Sequence, residues 1–327
     1  GIKEMIKLSP PKRFYILDVL RAVAILKVVF VHWQFFFRIF DKSTVKVSIQ
    51  QMPLHDVLYF LYMTNQAAVP FFFCISGFIL FWLYSTRVTE RTITFKTFWV
   101  NRLSRLYPLH FATLIIVAVG QLIYLKMTGT FLVSQFNDVY HFILNLFLAS
   151  SWGLEKGFSF NGPVWMLSVM VLLYALFFIF CRLFYRNLLA LLAMVLVGAY
   201  LLPMYHLFIA TGVKYFFFGG IIFVVYDKIV KTGDPWKVSV WLPCVTALFW
   251  LVTLVFANPH VTFPVIGGPK LREEILSAWP VVVLLPATIL SAALLETVKG
   301  AIGKRLSFMG DLSFSMYLLH CPLQLFV

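Results

Sequence analysis

The sequence predicts an all-α fold, a polytopic transmembrane helical bundle, and three observations carry that expectation. Of the 327 residues, 61% are hydrophobic and only 12% charged, against about 45–50% and about 25% in an ordinary soluble domain. Nine stretches reach or approach the roughly 20 apolar residues that a helix needs to cross a hydrocarbon core. The basic residues are distributed unevenly between the two sides of those stretches. So little charge cannot cover a soluble particle of this size. A cytosolic globular enzyme, a disordered chain and a nucleic-acid-binding domain are therefore excluded. The formal net charge of +14 is read along a membrane, not over a DNA-binding face.

The first stretch, 15–37, is too long for a cleaved signal peptide and carries Arg21, Lys27 and His32 inside it. The second, 57–84, is interrupted by Thr64-Asn65-Gln66 and Pro70. A kink there suits a cavity wall, while Ser76-Gly77 equally suits close helix packing. The third, 106–126, follows the basic segment Asn101-Arg102-Leu103-Ser104-Arg105. Residues 139–151, only thirteen in number, read as a re-entrant or interfacial piece. The span 163–181 opens at Asn161-Gly162-Pro163, with Pro163 suited to a helix N-terminus and Trp165 to an interfacial belt. Spans 187–203, 213–226, 238–257, 279–296 and 311–327 complete the series. The last runs into Val327 without a polar cap, so further chain is expected beyond it.

Leaving 139–151 out and placing the N-terminus in the cytoplasm puts roughly twice as many Lys and Arg inside as outside; counting it as a span removes the bias. The expectation is therefore one membrane domain over 1–327, with nine spans and the N-terminus inside. Cys74, Cys181, Cys244 and Cys321 lie far apart in apolar sequence, with no zinc spacing and no disulfide framework.

An ionisable side chain at the centre of a membrane helix costs roughly 2.5–3.5 kcal/mol on insertion scales, so each needs a reason. Arg21 and His32 are eleven residues apart. At 100° per residue they project from one face, separated by about 16 Å along the axis. Asp18, three residues before Arg21, can pair with it. Snorkelling by Arg21 and packing by His32 is the plain alternative. Arg102 and Arg105 lie three apart at an interface, and paired guanidiniums suit a phosphorylated ligand; an anchor to anionic lipid headgroups is the alternative. The last span carries Ser313, Ser315, Tyr317 and His320, a polar stripe rich for pure packing. His55, His110, His141, His206 and His260 read as span-end or loop residues with surface roles. No HExxH, GxSxG, Walker loop or His-x4-Asp occurs.

Four segments together resemble the membrane-bound acyltransferase-3 family of carbohydrate O-acyltransferases. They are Asp18-x-x-Arg21-Ala22-x-Ala24 followed by His32, Phe73-x-x-Ser76-Gly77-Phe78, Arg102-x-x-Arg105-x-Tyr107-Pro108, and Ser313-Phe314-Ser315-Met316-Tyr317-Leu318-Leu319-His320-x-Pro322. They stand in the family's order and reach from residue 18 to 322. The resemblance implies ten helices in the intact protein. It also implies transfer of an acyl group, often acetyl, from cytoplasmic acyl-CoA to an extracytoplasmic carbohydrate, and essential roles for His32 and Arg21. The chain departs from the family at Met170, where a glutamate is usual, which bears on acceptor recognition.

The expected site follows. His32 serves as base or acyl-carrying nucleophile, while Arg21, held by Asp18, orients the donor or stabilises negative charge from the cytoplasmic half. Arg102, Arg105 and Ser76 lie on the acyl-CoA side, and Trp165, Tyr317 and His320 on the acceptor side. No metal and no permanently bound cofactor is expected. Acyl-CoA, most simply acetyl-CoA, is the donor substrate, and a glycan or lipid-linked sugar is the acceptor. The setting is membrane lipid, a bacterial inner membrane being the simplest, with no nucleic acid. Two other readings stay open: a transporter or flippase using the same polar channel without covalent chemistry, and a catalytically inactive scaffold.

Overall fold

The computed structural model describes residues 11–32, 65–257 and 277–324, together with residues 51, 52, 54, 55, 57, 58, 62 and 275. The described residues are helical, with no strand among them. Helix α1 (Tyr15–His32) has an acid, Asp18, in its first turn and a histidine in its last, the order a helix dipole favours. Helix α2 (Ala68–Thr89) follows a 3₁₀ turn at Asn65–Ala67. Pro70 falls in its first turn, where a missing N–H costs no helical bond.

Helix α3 (Phe95–Thr128) starts earlier than expected, because the Thr94 hydroxyl accepts from the Thr97 N–H and caps it. Gly129 ends it at φ +80°. Its 34 residues extend about 51 Å, well beyond the roughly 30 Å of a hydrocarbon core. Helix α4 (Val139–Leu146) has eight residues, about 12 Å, and cannot cross. The Tyr107 hydroxyl, a third of the way along α3, donates to the Leu146 carbonyl at 3.0 Å. The chain therefore runs from the end of α3 back to its middle, as a re-entrant piece does.

Helix α5 (Trp165–Phe184) continues a 3₁₀ turn at Gly162–Val164. Helix α6 (Leu188–Leu196) passes through π-helical Val197–Leu201 into a 3₁₀ turn at Leu202–Met204. Helices α7 (Leu207–Thr232), α8 (Pro235–Ala257), α9 (Leu285–Lys299, after π-helical Pro280–Leu284) and α10 (Ser307–Gln324) complete the order. Six helical segments among the described residues are long and apolar enough to cross a membrane: Ala68–Thr89, Phe95–Thr128, Gly162–Phe184, Leu207–Thr232, Pro235–Phe256 and Ser277–Lys299. Leu188–Met204 is apolar but shorter. Helices α1 and α10, with 18 residues each, carry the polar residues of interest. Residues 33–37, 59–61, 63, 64 and 325–327 of the expected spans, and His260, lie outside the described residues.

Lipid tails are as apolar as leucine, so helices in a membrane associate through close packing and small residues. Helices α2 and α7 meet in this way. A methyl on Gly77 would overlap the Phe216 carbonyl, and one on Gly219 the Cys74 carbonyl. Phe73, Phe78, Phe81, Phe177, Phe216 and Phe223 fill the surrounding core. Helices α1 and α10 run parallel: Gly303 meets Ile16, Gly310 meets Asp18, and His320 meets His32.

Candidate active site

The site is built on the α1–α10 pair. At the Tyr15 end, Glu296 of α9 accepts the Ile16 backbone N–H at 3.0 Å, satisfying an orphan donor in the first turn of α1. One oxygen of the buried Asp18 accepts from Arg13 Nε at 2.6 Å, and the other pairs with Arg21 Nη2 at 3.1 Å. Arg13 reaches on to Asp311 of α10 at 2.7 Å. The lack of a side chain at Gly310 permits this approach, because a Cβ there would lie 2.7 Å from that of Asp18. Arg21 is thus fixed by a carboxylate that is itself clamped between two guanidiniums. The charges of Arg21 and Arg102 both act on the buried Tyr174 of α5, so the two arginines address one region of the interior.

At the other end of α1, His32 Nδ1 and His320 Nε2 are 2.8 Å apart, with ring centroids at 5.0 Å. His320 Nδ1 lies 2.6 Å from the Tyr317 carbonyl. A carbonyl only accepts, so His320 carries its proton on Nδ1, and its Nε2 is an acceptor. His32 must then donate from Nδ1, which makes Nε2 its unprotonated nitrogen. This tautomer is assigned from the network. Tyr317 holds the arrangement in place by donating its hydroxyl to the Pro163 carbonyl.

The remaining expected residues are dispersed. Arg102 Nη2 donates to the Tyr84 hydroxyl, its guanidinium lies 4.7 Å from that ring's centroid, and Arg102 Nε is buried without an acceptor. Arg105 is exposed, so the two arginines of the segment are not equivalent. Residues three apart on a helix differ by about 60° in direction, and only the first turns inward. Ser76 is buried beside the Gly77 contact. Trp165 stacks on Phe208, with centroids 4.4 Å apart. Met170 is buried in the hydrophobic core. Lys27, also buried, lines an apolar cavity of about 330 Å³ with Leu20, Ala24, Phe71 and Trp250.

Two histidines read as surface residues are among the most buried polar side chains. His110 is 1% exposed, with Nε2 donating to the Asn145 carbonyl at 2.8 Å. His141 is fully buried; its Nδ1 meets Asp138 at 2.8 Å and its Nε2 accepts the Lys156 N–H at 3.1 Å. The His141 backbone N–H and imidazole hold the exposed Asp138 carboxylate below its usual range. His206 caps α7 and pairs with Glu155 at 2.8 Å. For His141 the signal was in the sequence: Asp138-x-x-His141 is N-cap spacing. For His110 only the folding back of α4 supplies the burial.

Residues 14–327 match the family model described as an acyltransferase domain, that of acyltransferase-3. The chain belongs to the acyltransferase-3 family. A Rhizobium radiobacter relative of this acyltransferase-3 chain, named "Protein 2 in picA locus", is 36% identical over 110 residues. That alignment takes in 34% of this chain and 47% of the relative, so the match spans about half of that protein's length. No solved structure matches the chain. Family membership and the apolar helices make the chain a membrane domain of the acyltransferase-3 family.

Proposed function

We propose that the protein transfers an acyl group, acetyl in the simplest case, from acyl-CoA on the cytoplasmic side to a carbohydrate hydroxyl on the opposite side. The bacterial plasma membrane is the proposed setting. The single observation that carries this reading is the His32–His320 hydrogen bond, which presents His32 Nε2 as a proton acceptor at the end of α1 remote from the arginines. In the proposed step Nε2 takes the acceptor hydroxyl proton while the oxygen bonds to the thioester carbon. The C–S bond then breaks, and the coenzyme A thiolate takes up the proton from the imidazolium. Arg21, held by Asp18, stabilises negative charge developing between the two ends.

Arg102 is the proposed phosphate ligand, because its Nε–H is buried and lacks an acceptor. Arg105, exposed on the next turn, supplies charge at the surface, and Ser76 is buried on α2, near the proposed donor path. Tyr317 acts through His320, whose Nδ1–H it accepts, and through Pro163. Trp165 belongs to the packing beneath the acceptor region. The test is transfer of radiolabel from acetyl-CoA to glycans by the full-length protein in proteoliposomes. Label on the glycan supports the reading. Label that stays on coenzyme A across all native glycans, with sugar uptake into vesicles instead, overturns it in favour of a transporter.

A further inference from the structure

We infer that His110, Asn145 and Asn161 form the subsite that holds the hydroxyl-bearing acceptor, an inference that rests on the acyl-transfer reading above. Among the described residues, five buried polar side-chain atoms have no hydrogen-bond partner: Arg102 Nε, His110 Nδ1, Asn145 Oδ1, Asn161 Oδ1 and Glu296 Oε1. Three of them belong to one connected wall: His110 donates to the Asn145 carbonyl, Asn145 donates to Ser159 Oγ, and Asn161 follows Ser159 by two residues. Leaving such an atom unsatisfied costs roughly 1–3 kcal/mol, and native proteins keep few of them without a reason.

All three atoms of the wall are acceptors. His110 commits its one ring N–H to the Asn145 carbonyl, so Nδ1 bears only a lone pair. Asn145 commits both amide hydrogens, to the His141 carbonyl at 2.9 Å and to Ser159 Oγ at 2.8 Å. Asn161 donates to the Leu318 carbonyl at 3.0 Å. The three residues are 1%, 1% and 2% exposed. The ligand that satisfies them brings donors and takes no donor from the wall.

A polyol does this with uncharged hydroxyls. A cation would call for a carboxylate, but the two acids of the segment are already engaged. Asp138 accepts from the His141 N–H and faces its imidazole, and Glu155 accepts from the Gly153 N–H and pairs with His206. The wall also abuts the histidine pair. Asn161 holds Leu318, two residues before His320, and Pro163 receives the Tyr317 hydroxyl. A hydroxyl taken up by Asn161 is delivered beside the base.

The test uses the full chain in lipid nanodiscs with glycerol, the smallest neutral triol, as probe. Wild type, His110→Phe and Asn161→Ala are compared, each first checked for monodispersity. The inference expects an experimental structure with glycerol oxygens on the three acceptors. It also expects the glycerol KM for acetyl transfer to rise about three- to tenfold in each variant, the loss expected for one neutral hydrogen bond, with the acetyl-CoA KM unchanged. Ordered water alone on the wall, or an unchanged glycerol KM in both variants, overturns it. Glycerol seated on the wall, with label staying on coenzyme A across all native glycans as well, supports a polyol site there and removes the acyl-transfer reading.

Discussion

Replacing His320 separates its effect on His32 from any chemistry of its own. The His320→Leu change removes the acceptor of the 2.8 Å bond from His32 Nδ1. That bond selects the tautomer with an unprotonated Nε2. A neutral hydrogen bond contributes about 0.5–1.5 kcal/mol net, so its loss lets His32 place its proton on Nε2 in a comparable share of molecules. Rate should fall about two- to tenfold in kcat, with the donor KM unchanged. Removal of the base itself, as in His32→Ala, should cost about 10²–10⁴.

His320→Gln restores an acceptor near the lost Nε2 and should recover most of the rate. His320→Lys offers only donors and should fall below His320→Leu. The assay is label transfer from acetyl-CoA in proteoliposomes at saturating donor, with unfolding temperature measured for each variant. Wild-type rate in His320→Leu, alongside an inactive His32→Ala, would refute the tautomer argument. Equal loss in His320→Leu and His32→Ala would mean that His320 takes part in the chemistry directly.

Three further outcomes follow from the packing and the charges. Gly77→Ala sets a methyl against the Phe216 carbonyl and should destabilise the fold by about 1–3 kcal/mol, as overpacking does, read as a lower unfolding temperature in detergent. Arg102→Lys removes a planar donor fork from a buried position and should raise the acetyl-CoA KM about tenfold or more, whereas Arg105→Ala, at an exposed position, should change it less than about threefold. The Asp138 carboxylate is held below its unfolded value, so its cap on α4 contributes above about pH 4 and fades only as the pH falls through the lower folded value. Proteolysis of the 147–161 connection in proteoliposomes, followed by an acid-stable protease, should therefore stay constant from neutral pH down to about 4. Faster cleavage already at pH 6 would contradict this.

What the sequence made legible was whatever depends on short-range periodicity. Apolar length marked the six described helices that are long enough to cross and the shortness of 139–151, and 100° arithmetic placed Asp18, Arg21 and His32 on one stripe of α1. Contacts between distant segments were not legible. His32 and His320 are 288 residues apart, and only the parallel packing of α1 on α10 joins them. His110 reads as the start of a span, yet α3 begins at Phe95 and α4 folds back on it, so the imidazole is enclosed. Arg102 and Arg105 look alike in the sequence and part company in the fold, where the first turns inward to Tyr84 of α2 and the second stays exposed. Trp165, read as lining the acceptor side, stacks on Phe208, a partner that no local pattern announces.

The central claim is that His32 is the base of an acyl transfer to a hydroxyl. Label transfer from acetyl-CoA to glycan in proteoliposomes, comparing wild type with a folded His32→Ala, tests it most directly. Transfer by wild type and a fall of about 10²–10⁴ in the variant is the expected result. Undiminished transfer by His32→Ala would contradict it.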